Sequence, residues 1–509
     1  MRLLVYWFIP NSRDKFSPDR SGRSLSKYLF FLCLLGVLSG CQADHLTDDP
    51  NCRLAFSRDT VVFDTVFTSI GSSTQRLMVF NPNKNAVQIA RVGLASGKYF
   101  RVNISGEPLY VSSSTSQKNA ITIAGGDSLF VFIRATIDPQ DSNSPVFIRD
   151  TLFFGLPQGI QQVILEAYGQ DVVLIRSQKR RTEYARDFVF KRDKPYLIYD
   201  SVLIGGKTTI EAGATLYMHQ GAALFALGDV EAYGSMNQPI TLRGDRLDRL
   251  FDSVPYRYAA GMWDGLYLLN YKDAPRATYA IDFLTCEGGN IGLYCYSERT
   301  EDLPSLRLSN SRLHNHALYG VVLQNTDATI ANTEISNCAS YCLYLDGGEY
   351  DIVHTTIASY FGATNVNIQS TQKEDVAGVY INNLSKTGAA THVNVRNSII
   401  TGSRRNQLVL ATPLPQYYAG AWYGNYLKTD SLTIPHAHDN VYWSEEDTVE
   451  VFRNTYYKYK EYRYYDFRLD SLSPARGIGD SLTAISYPID RNGISREHVR
   501  PDAGCYQYD

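Results

Sequence analysis

Methionine is scarce in this chain, with five copies in 509 residues, and tryptophan scarcer with four, whereas tyrosine and glycine each reach 37. That imbalance favours pleated strands joined by turns over helices. Long apolar runs are missing as well. The one extended run, Tyr28 to Leu38, has eleven residues, against the roughly 20 that a membrane-spanning helix needs. No charge of one sign dominates: the formal net charge is −3, which offers no basic field to hold a phosphate backbone, so a nucleic-acid partner is excluded. Zinc-type spacings are absent too, with no CxxC, no HExxH and no His at ligand spacing from Cys338 and Cys342. No cofactor is implied. Apolar residues make up 44% and charged residues 20%, which describes a packed chain and not a disordered or collagenous one.

The short apolar run lies behind Arg23 and Lys27 and ahead of Ser39, Gly40 and Cys41. Its length, basic flank and small residues make it a signal-peptide core, so residues 1–40 are set apart from the fold. Leu38, Ser39 and Gly40 before Cys41 resemble the lipobox of bacterial lipoproteins. The resemblance implies cleavage before Cys41, acylation of that cysteine, and residence at the outer membrane, facing either the periplasm or the cell surface. Removal of the leader leaves 43 basic against 50 acidic residues. The membrane link is then the acyl chains, not charge. Residues 41–53 form a polar tether with Asp44, Asp48 and Asp49, similar to surface-export signals of Bacteroidota lipoproteins. An oxidising compartment permits disulfides, and Cys338 and Cys342 are close enough to pair across a turn; buried free thiols are the alternative.

Residues 54–175 alternate with period two through DTVVFDTVF, QRLMVFN, NAVQIARVGL, YFRVNI, NAITIA, SLFVFIRATI, DTLFFG and QQVILEAYG. Short alternations separated by Gly, Asn, Ser and Asp turns predict a β-sandwich. Phe63, Val66 and Phe67 begin one inner face, and Leu129, Val131 and Ile133 or their opposite-parity neighbours supply another. The order VFNPNKNAVQI, FRVNISG, FVFIRATIDP and VILEAYGQD resembles the ASPM-SPD-2-Hydin type of immunoglobulin-like domain. That resemblance implies a spacer or binding module.

Residues 195–440 repeat. LSNSRL from Leu308, IANTEI from Ile330 and IVHTTI from Ile352 recur every 22 residues, and VRNSII from Val395 falls about two steps further on. Asn310, Asn332, His354 and Asn397 share one column, Ser311, Thr333, Thr355 and Ser398 the next, and Leu313, Ile335, Ile357 and Ile400 a third. Stacked parallel coils put such columns about 4.8 Å apart, with aliphatics inside and amides laddering at a turn. IGLYCYS, YGVVLQN, YCLYLDG and TNVNIQS repeat as the other strand. This arrangement resembles the right-handed parallel β-helix of pectin lyase-like proteins, and implies an all-β chain of ten or eleven coils. Two inserts, around Arg243 to Gly265 and Tyr417 to Asn440, are expected to loop out. Residues 441–509 hold tyrosine-rich late coils and DFRLDSLSPARGIGD, then PIDRNGISREHVRPDAGCYQYD, which resembles the tail closing many bacterial secreted β-helices. It implies a cap in which Asp502, Gly504 and Tyr506 are structural.

That fold hosts many polysaccharide lyases and hydrolases, which need converging carboxylates. The NTD, DD, GHG and RIK set of polygalacturonase-like enzymes is absent. Asp252 and Asp264, with Asp245 and Asp248, are the acidic candidates; a polar loop pinned by Trp263 and Tyr267 is the bland account. His436, His438 and Asp439 have metal donors in a loop, and His314 and His316 read as solvated turn histidines. Tyr417, Trp422, Tyr423, Tyr456 and Tyr459 are candidates for contact with a sugar or a protein, or else coil packing. The expectation is a non-catalytic envelope lipoprotein whose β-helix binds glycan or another envelope protein, with a carbohydrate-active enzyme as the alternative.

Overall fold

The computed structural model describes residues 45–509 apart from 48, 110–119, 178, 180, 252–253, 362–376, 383–388, 412–419, 431–436, 443–449, 456–463 and 497–499. Two sheets pack face to face at the start. One holds Ala55–Phe56, Gln75–Phe80, Ser128–Ala135, Phe100–Ile104 and Glu107–Pro108; the other holds Thr60–Phe67, Gly159–Gln170, Val146–Leu156 and Arg91–Leu94. Thr60–Phe67 runs parallel to Gly159–Gln170, while Val146–Leu156 pairs antiparallel on both sides. Alternation decides the inside of this immunoglobulin-like sandwich: Leu129, Val131 and Ile133 are buried, and Phe130 and Phe132 between them are 42% and 40% exposed.

From Val173 the chain winds into a parallel β-helix. Sheet 1 has eleven strands, from Val173–Ile175 to Val441–Tyr442; sheet 2 has nine, from Arg181–Tyr184 to Leu408–Ala411; sheet 3 has nine, from Phe188–Phe190 to Trp422–Tyr423. Each strand pairs in parallel with the one a coil further on, the crossover being right-handed. The stack begins before residue 195, because Val173–Ile175 already pairs with Tyr196–Ile198. Three residues are too few to announce a coil by periodicity.

The columns line up as expected. Leu308, Ile330 and Ile352 are direct ladder partners. Asn310, Asn332, His354 and Asn397 turn the chain from sheet 3 to sheet 1 at φ of 49°, 50°, 45° and 50°, a left-handed conformation that Asn and His tolerate better than most residues. Asn332 Nδ2 donates to Asn310 Oδ1 at 3.2 Å, and Asn397 Nδ2 lies 3.1 Å from His354 Nε2. In the hydroxyl column, Ser311 N donates to Thr333 Oγ1 at 3.3 Å and Thr355 N to Ser398 Oγ at 3.0 Å. Leu313, Ile335, Ile357 and Ile400 are core residues.

Two readings need correction. Ile352 pairs directly with Val395, so the stretch expected to hold two coils holds one. TNVNIQS lies outside the described residues, and Val379–Asn382 takes the sheet 2 position instead. Added residues at a turn leave ladder register untouched, which is why the columns survive. The Tyr417 to Asn440 insert also contributes to the stack: Trp422–Tyr423 joins sheet 3 and Tyr426–Leu427 joins sheet 1.

The C-terminal segment caps the flank of the stack. Phe452, Phe467, Leu469, Ala503 and Cys505 pack on Ala358, Ile399 and Tyr426, forming a second apolar core outside sheet 1. The asparagine column is its rail: Asp480 N donates to Asn397 Oδ1 at 2.7 Å, and Asn332 Nδ2 donates to Ile489 O at 3.0 Å. Gly504 has φ +93°, and a Cβ there would lie 2.7 Å from Thr356 Oγ1, so only glycine fits. Asp502 holds the segment to itself, accepting from Gly477 N at 2.7 Å and Gln507 Nε2 at 2.8 Å.

Candidate functional site

Sheet 2 turns a stripe of rings outward. Ladder pairing places Phe225, Tyr267, Tyr294, Val322, Tyr344 and Tyr380 in one column over six successive coils, about 24 Å at strand spacing. Leu266, Leu293, Leu343 and Val379, one position earlier, face the core; alternation therefore sends the rings out. Phe225 and Tyr267 stack at 4.8 Å and 20°, Tyr344 and Tyr380 at 5.3 Å and 13°. Each ring of the column stays half-buried. Two positions further along lie Tyr296, Gln324, Asp346 and Asn382. Tyr294 Oη donates to Gln324 Oε1 at 2.5 Å, and Asn382 Nδ2 donates to Asp346 Oδ2 at 3.2 Å. Burial pushes the Asp346 carboxyl above its ordinary value. The repeated rows carry the signal for the stripe: in IGLYCYS and YCLYLDG the tyrosines alternate with the aligned core residues, so the outward half of that alternation is the column of rings.

Asp264 sits at the foot of this stripe. Its Oδ1 accepts from Asn290 Nδ2 at 3.1 Å, and burial, then the Asp264 carboxylate, pushes the Tyr267 hydroxyl up to about 12. Asp252, the other acidic candidate, lies outside the described residues. The remaining carboxylates of the first insert are occupied: Asp245 is 2.6 Å from His219 Nδ1, while Asp248 pairs with Arg246 at 2.7 Å and accepts from Ser73 of the sandwich. Trp263 is wholly buried and donates to Glu287 O at 2.9 Å, which pins the loop.

Tyr423, His438 and Asp439 do converge. They line a cleft of about 890 Å³ with Arg396, Arg500 and the short helix Ser481–Ser486. The Tyr423 and His438 rings are 5.7 Å apart. His438 Nε2 and Asp439 Oδ2 are 3.9 Å apart with side chains 64% and 86% exposed, and among the described residues no three His, Cys, Asp or Glu side chains group as a metal site. Trp422 is no ligand contact: strand alternation points it inward, where it is fully buried and donates to Val393 O at 2.8 Å. Tyr417, Tyr456, Tyr459, His436 and Cys41 lie outside the described residues. Cys338 and Cys342 stand as buried free thiols in hydrogen-bonding contact, not bridged.

Sheet 1 presents a different surface. Its outward residues Glu287, Arg312 and Glu334 form a chain, with Arg312 Nη1 2.9 Å from Glu287 and Arg312 Nε 3.0 Å from Glu334. Arg257 of the first insert adds a bond of 3.0 Å to Glu287, and Tyr506 Oη donates to Glu334 Oε2 at 2.5 Å. Burial works to raise both glutamates, but Arg312 together with Arg257 at Glu287, and with Ser336 and Tyr506 at Glu334, outweighs it and holds both below the usual carboxylate range. His314 Nδ1 meets Ser336 Oγ at 2.8 Å. His314 and His316 are buried, not solvated, and burial pushes His316 down to about 4. His314 is covered by Tyr465 and Phe467, far along the chain, so nothing in the repeats signals its burial, whereas His316 lies against Gly289, Gly292 and Cys338 of neighbouring coils.

No family model matches the chain, and no curated protein matches it. Among solved structures it is similar to the ASH / PapD-like domain of human CEP192 (PapD-like domain 7), with 13% identity, a TM-score of 0.17, and coverage of 28% of this chain and 97% of that one. The assignment of the sandwich rests on its own strand order.

Proposed function

We propose that this chain is an envelope lipoprotein, held at the outer membrane through acylated Cys41, and that the outer face of sheet 2 binds glycan without transforming it. One observation carries the reading: half-buried rings stand in ladder register beside a column of amide and carboxyl groups. Ring faces cover the apolar faces of sugars, and the neighbouring Gln324, Asp346 and Asn382 supply hydrogen bonds to hydroxyls. Asp264 and Asp346 serve here as polar contacts.

Titration of the mature chain, made soluble by Cys41→Ser, against a panel of neutral and acidic oligosaccharides tests this. Saturable binding, weakened about tenfold by Tyr344→Leu or Tyr267→Leu, is expected. Binding of an envelope protein with no response to any sugar defeats the glycan reading. The anchor is tested separately: metabolic labelling with a fatty acid should mark the wild type and not Cys41→Ser.

A further inference from the structure

The sandwich carries an open face of its own. In the sheet that holds Gln75–Phe80, Ser128–Ala135 and Phe100–Ile104, the inward residues fill the core and the outward ones include Arg76, Met78, Phe130, Phe132, Arg134 and Arg101. Ladder pairing brings them together: Met78 lies opposite Phe130, Arg76 opposite Phe132, and Arg134 opposite Arg101. The Phe130 and Phe132 rings stack at 6.3 Å and 16°, and the Arg76 guanidinium is 5.6 Å from the Phe130 ring. Both rings and all three arginines are exposed.

Among the described residues none of these arginines is paired with a carboxylate. Arg101 donates to the carbonyls of Gly97, Lys98 and Phe100, and Arg134 to Ile70 O at 3.5 Å, bonds that leave the charge uncompensated. The one acidic residue within the strands of this sheet, Glu107, stands opposite the core residue Ile104 and not in the outward rows. The other sheet of the sandwich also shows rings, Phe147 and Tyr168, but there Arg149 is 3.5 Å from Glu166 and exposed Asp64 adds a negative charge. The two faces differ in charge, and the first is the cationic one. Exposed rings flanked by guanidinium groups suit the headgroup layer of an anionic bilayer, where rings lie among the polar parts of the lipids and arginines pair with phosphate. The start of the chain favours that partner over an acidic protein. Ala86 N donates to His45 O at 3.0 Å and Thr47 N to Ala86 O at 2.8 Å, which ties His45 to the chain six residues past the end of Gln75–Phe80. Cys41 is four residues before His45, a reach of at most about 14 Å.

We infer that this face docks on an anionic phospholipid bilayer, with Arg76, Arg101 and Arg134 on lipid phosphates and Phe130 and Phe132 among the headgroups. The choice of a bilayer rests on the proposed acylation of Cys41, which would hold the sandwich at the membrane. Because the mature chain has 43 basic against 50 acidic residues, the attraction is local to this face: the acyl chains hold the protein and the face orients it. The coils follow that orientation through the Phe67 and Tyr217 contact, 4.8 Å between ring centroids.

The test is co-sedimentation of the soluble Cys41→Ser mature chain with vesicles of phosphatidylcholine, with and without phosphatidylglycerol. Vesicles containing phosphatidylglycerol should bind at least about tenfold more tightly, and the binding should fall as salt rises. Arg76→Gln combined with Arg134→Gln should lower it about tenfold, and Phe130→Ser combined with Phe132→Ser several-fold, with melting temperatures unchanged because all four side chains face solvent. Phe147→Ser on the other sheet and Tyr267→Leu on the stripe should leave it intact. If the arginine variant does not fold, the phenylalanine variant decides. Equal binding to the two vesicles, no binding to either, or unchanged binding in these variants overturns the proposal. Fatty-acid labelling reads the anchor separately: labelling without vesicle binding defeats the face alone, and vesicle binding without labelling defeats the anchor and leaves the face.

Discussion

Sheets 1 and 2 belong to the same coils, yet their outer faces have opposite fates. On sheet 2 the outward rings stay half open, from Phe225 to Tyr380. On sheet 1 the outward Glu287, His314, Glu334 and Ser336 are buried, because the first insert lies over Glu287 and the C-terminal segment over His314 and Glu334. A β-helix fixes which side chains point out, but not which of them meet water; that is decided by what else the chain folds against the stack. Groups that would be ordinary surface residues on a bare coil become a desolvated ionic chain under the cover. The comparison also explains why the covered face needs partners for every charge, whereas the open face tolerates unshared polar atoms.

The sharpest way to break this contrast is to remove one link of the buried chain. Glu334→Ala leaves Arg312 half-compensated and Tyr506 without its acceptor, and should cost about 3–5 kcal/mol in denaturant unfolding. A loss under 1 kcal/mol would mean that the face is wet. Acid should act in the same direction. Glu287 and Glu334 ionise more easily in the fold than in the free chain, so their contribution is complete above the ordinary carboxylate range and disappears as pH falls through the folded values. Histidine moves earlier. His316 is held down to about 4 from 6.5, so the unfolded chain gains the proton first; stability is intact above 6.5 and declines as pH falls towards 4. That window corresponds to about 3 kcal/mol for a fully buried group. Melting temperatures measured between pH 7 and 4 should fall less steeply in His316→Gln.

The next effect is smaller and concerns the cover itself. Gly504→Ala forces a Cβ against Thr356 at positive φ, at a cost of about 1–3 kcal/mol. Because the clash sits under the C-terminal segment, proteolysis should release that segment from the variant while the coils before it remain resistant.

Much of this was legible in the chain. The 22-residue step, the Asn310 to Asn397 column, the hydroxyl column beside it and the inward aliphatics were all readable, because like residues must stack on like in a parallel ladder. The inner parity of Leu129, Val131 and Ile133 was left open between two choices and needed the partner sheet to settle it. What stayed hidden has a common physical cause. The burial of His314, the core role of Trp422 and the ionic chain at Glu334 depend on contacts between residues far apart, such as Tyr506 with Glu334, and no local period encodes those. The insertion after Ile357 misled for the opposite reason: a long turn looks like a lost coil when only spacing is counted.

The open face gives the smallest change in stability and the clearest change in function. Tyr344→Leu keeps an aliphatic side chain against Tyr380 and removes one 3.2 Å bond from Asn382 Nδ2, which keeps Asp346 as acceptor, so unfolding should shift by no more than about 1 kcal/mol. Glycan affinity should still drop about tenfold, equivalent to about 1.4 kcal/mol, since the lost ring face has no substitute in that coil. Glu334→Ala should show the reverse, a large loss of stability with sheet 2 binding retained at temperatures where the coils persist. If both variants lower stability and binding together, the two faces are not independent, and the open stripe is a packing surface like the covered one.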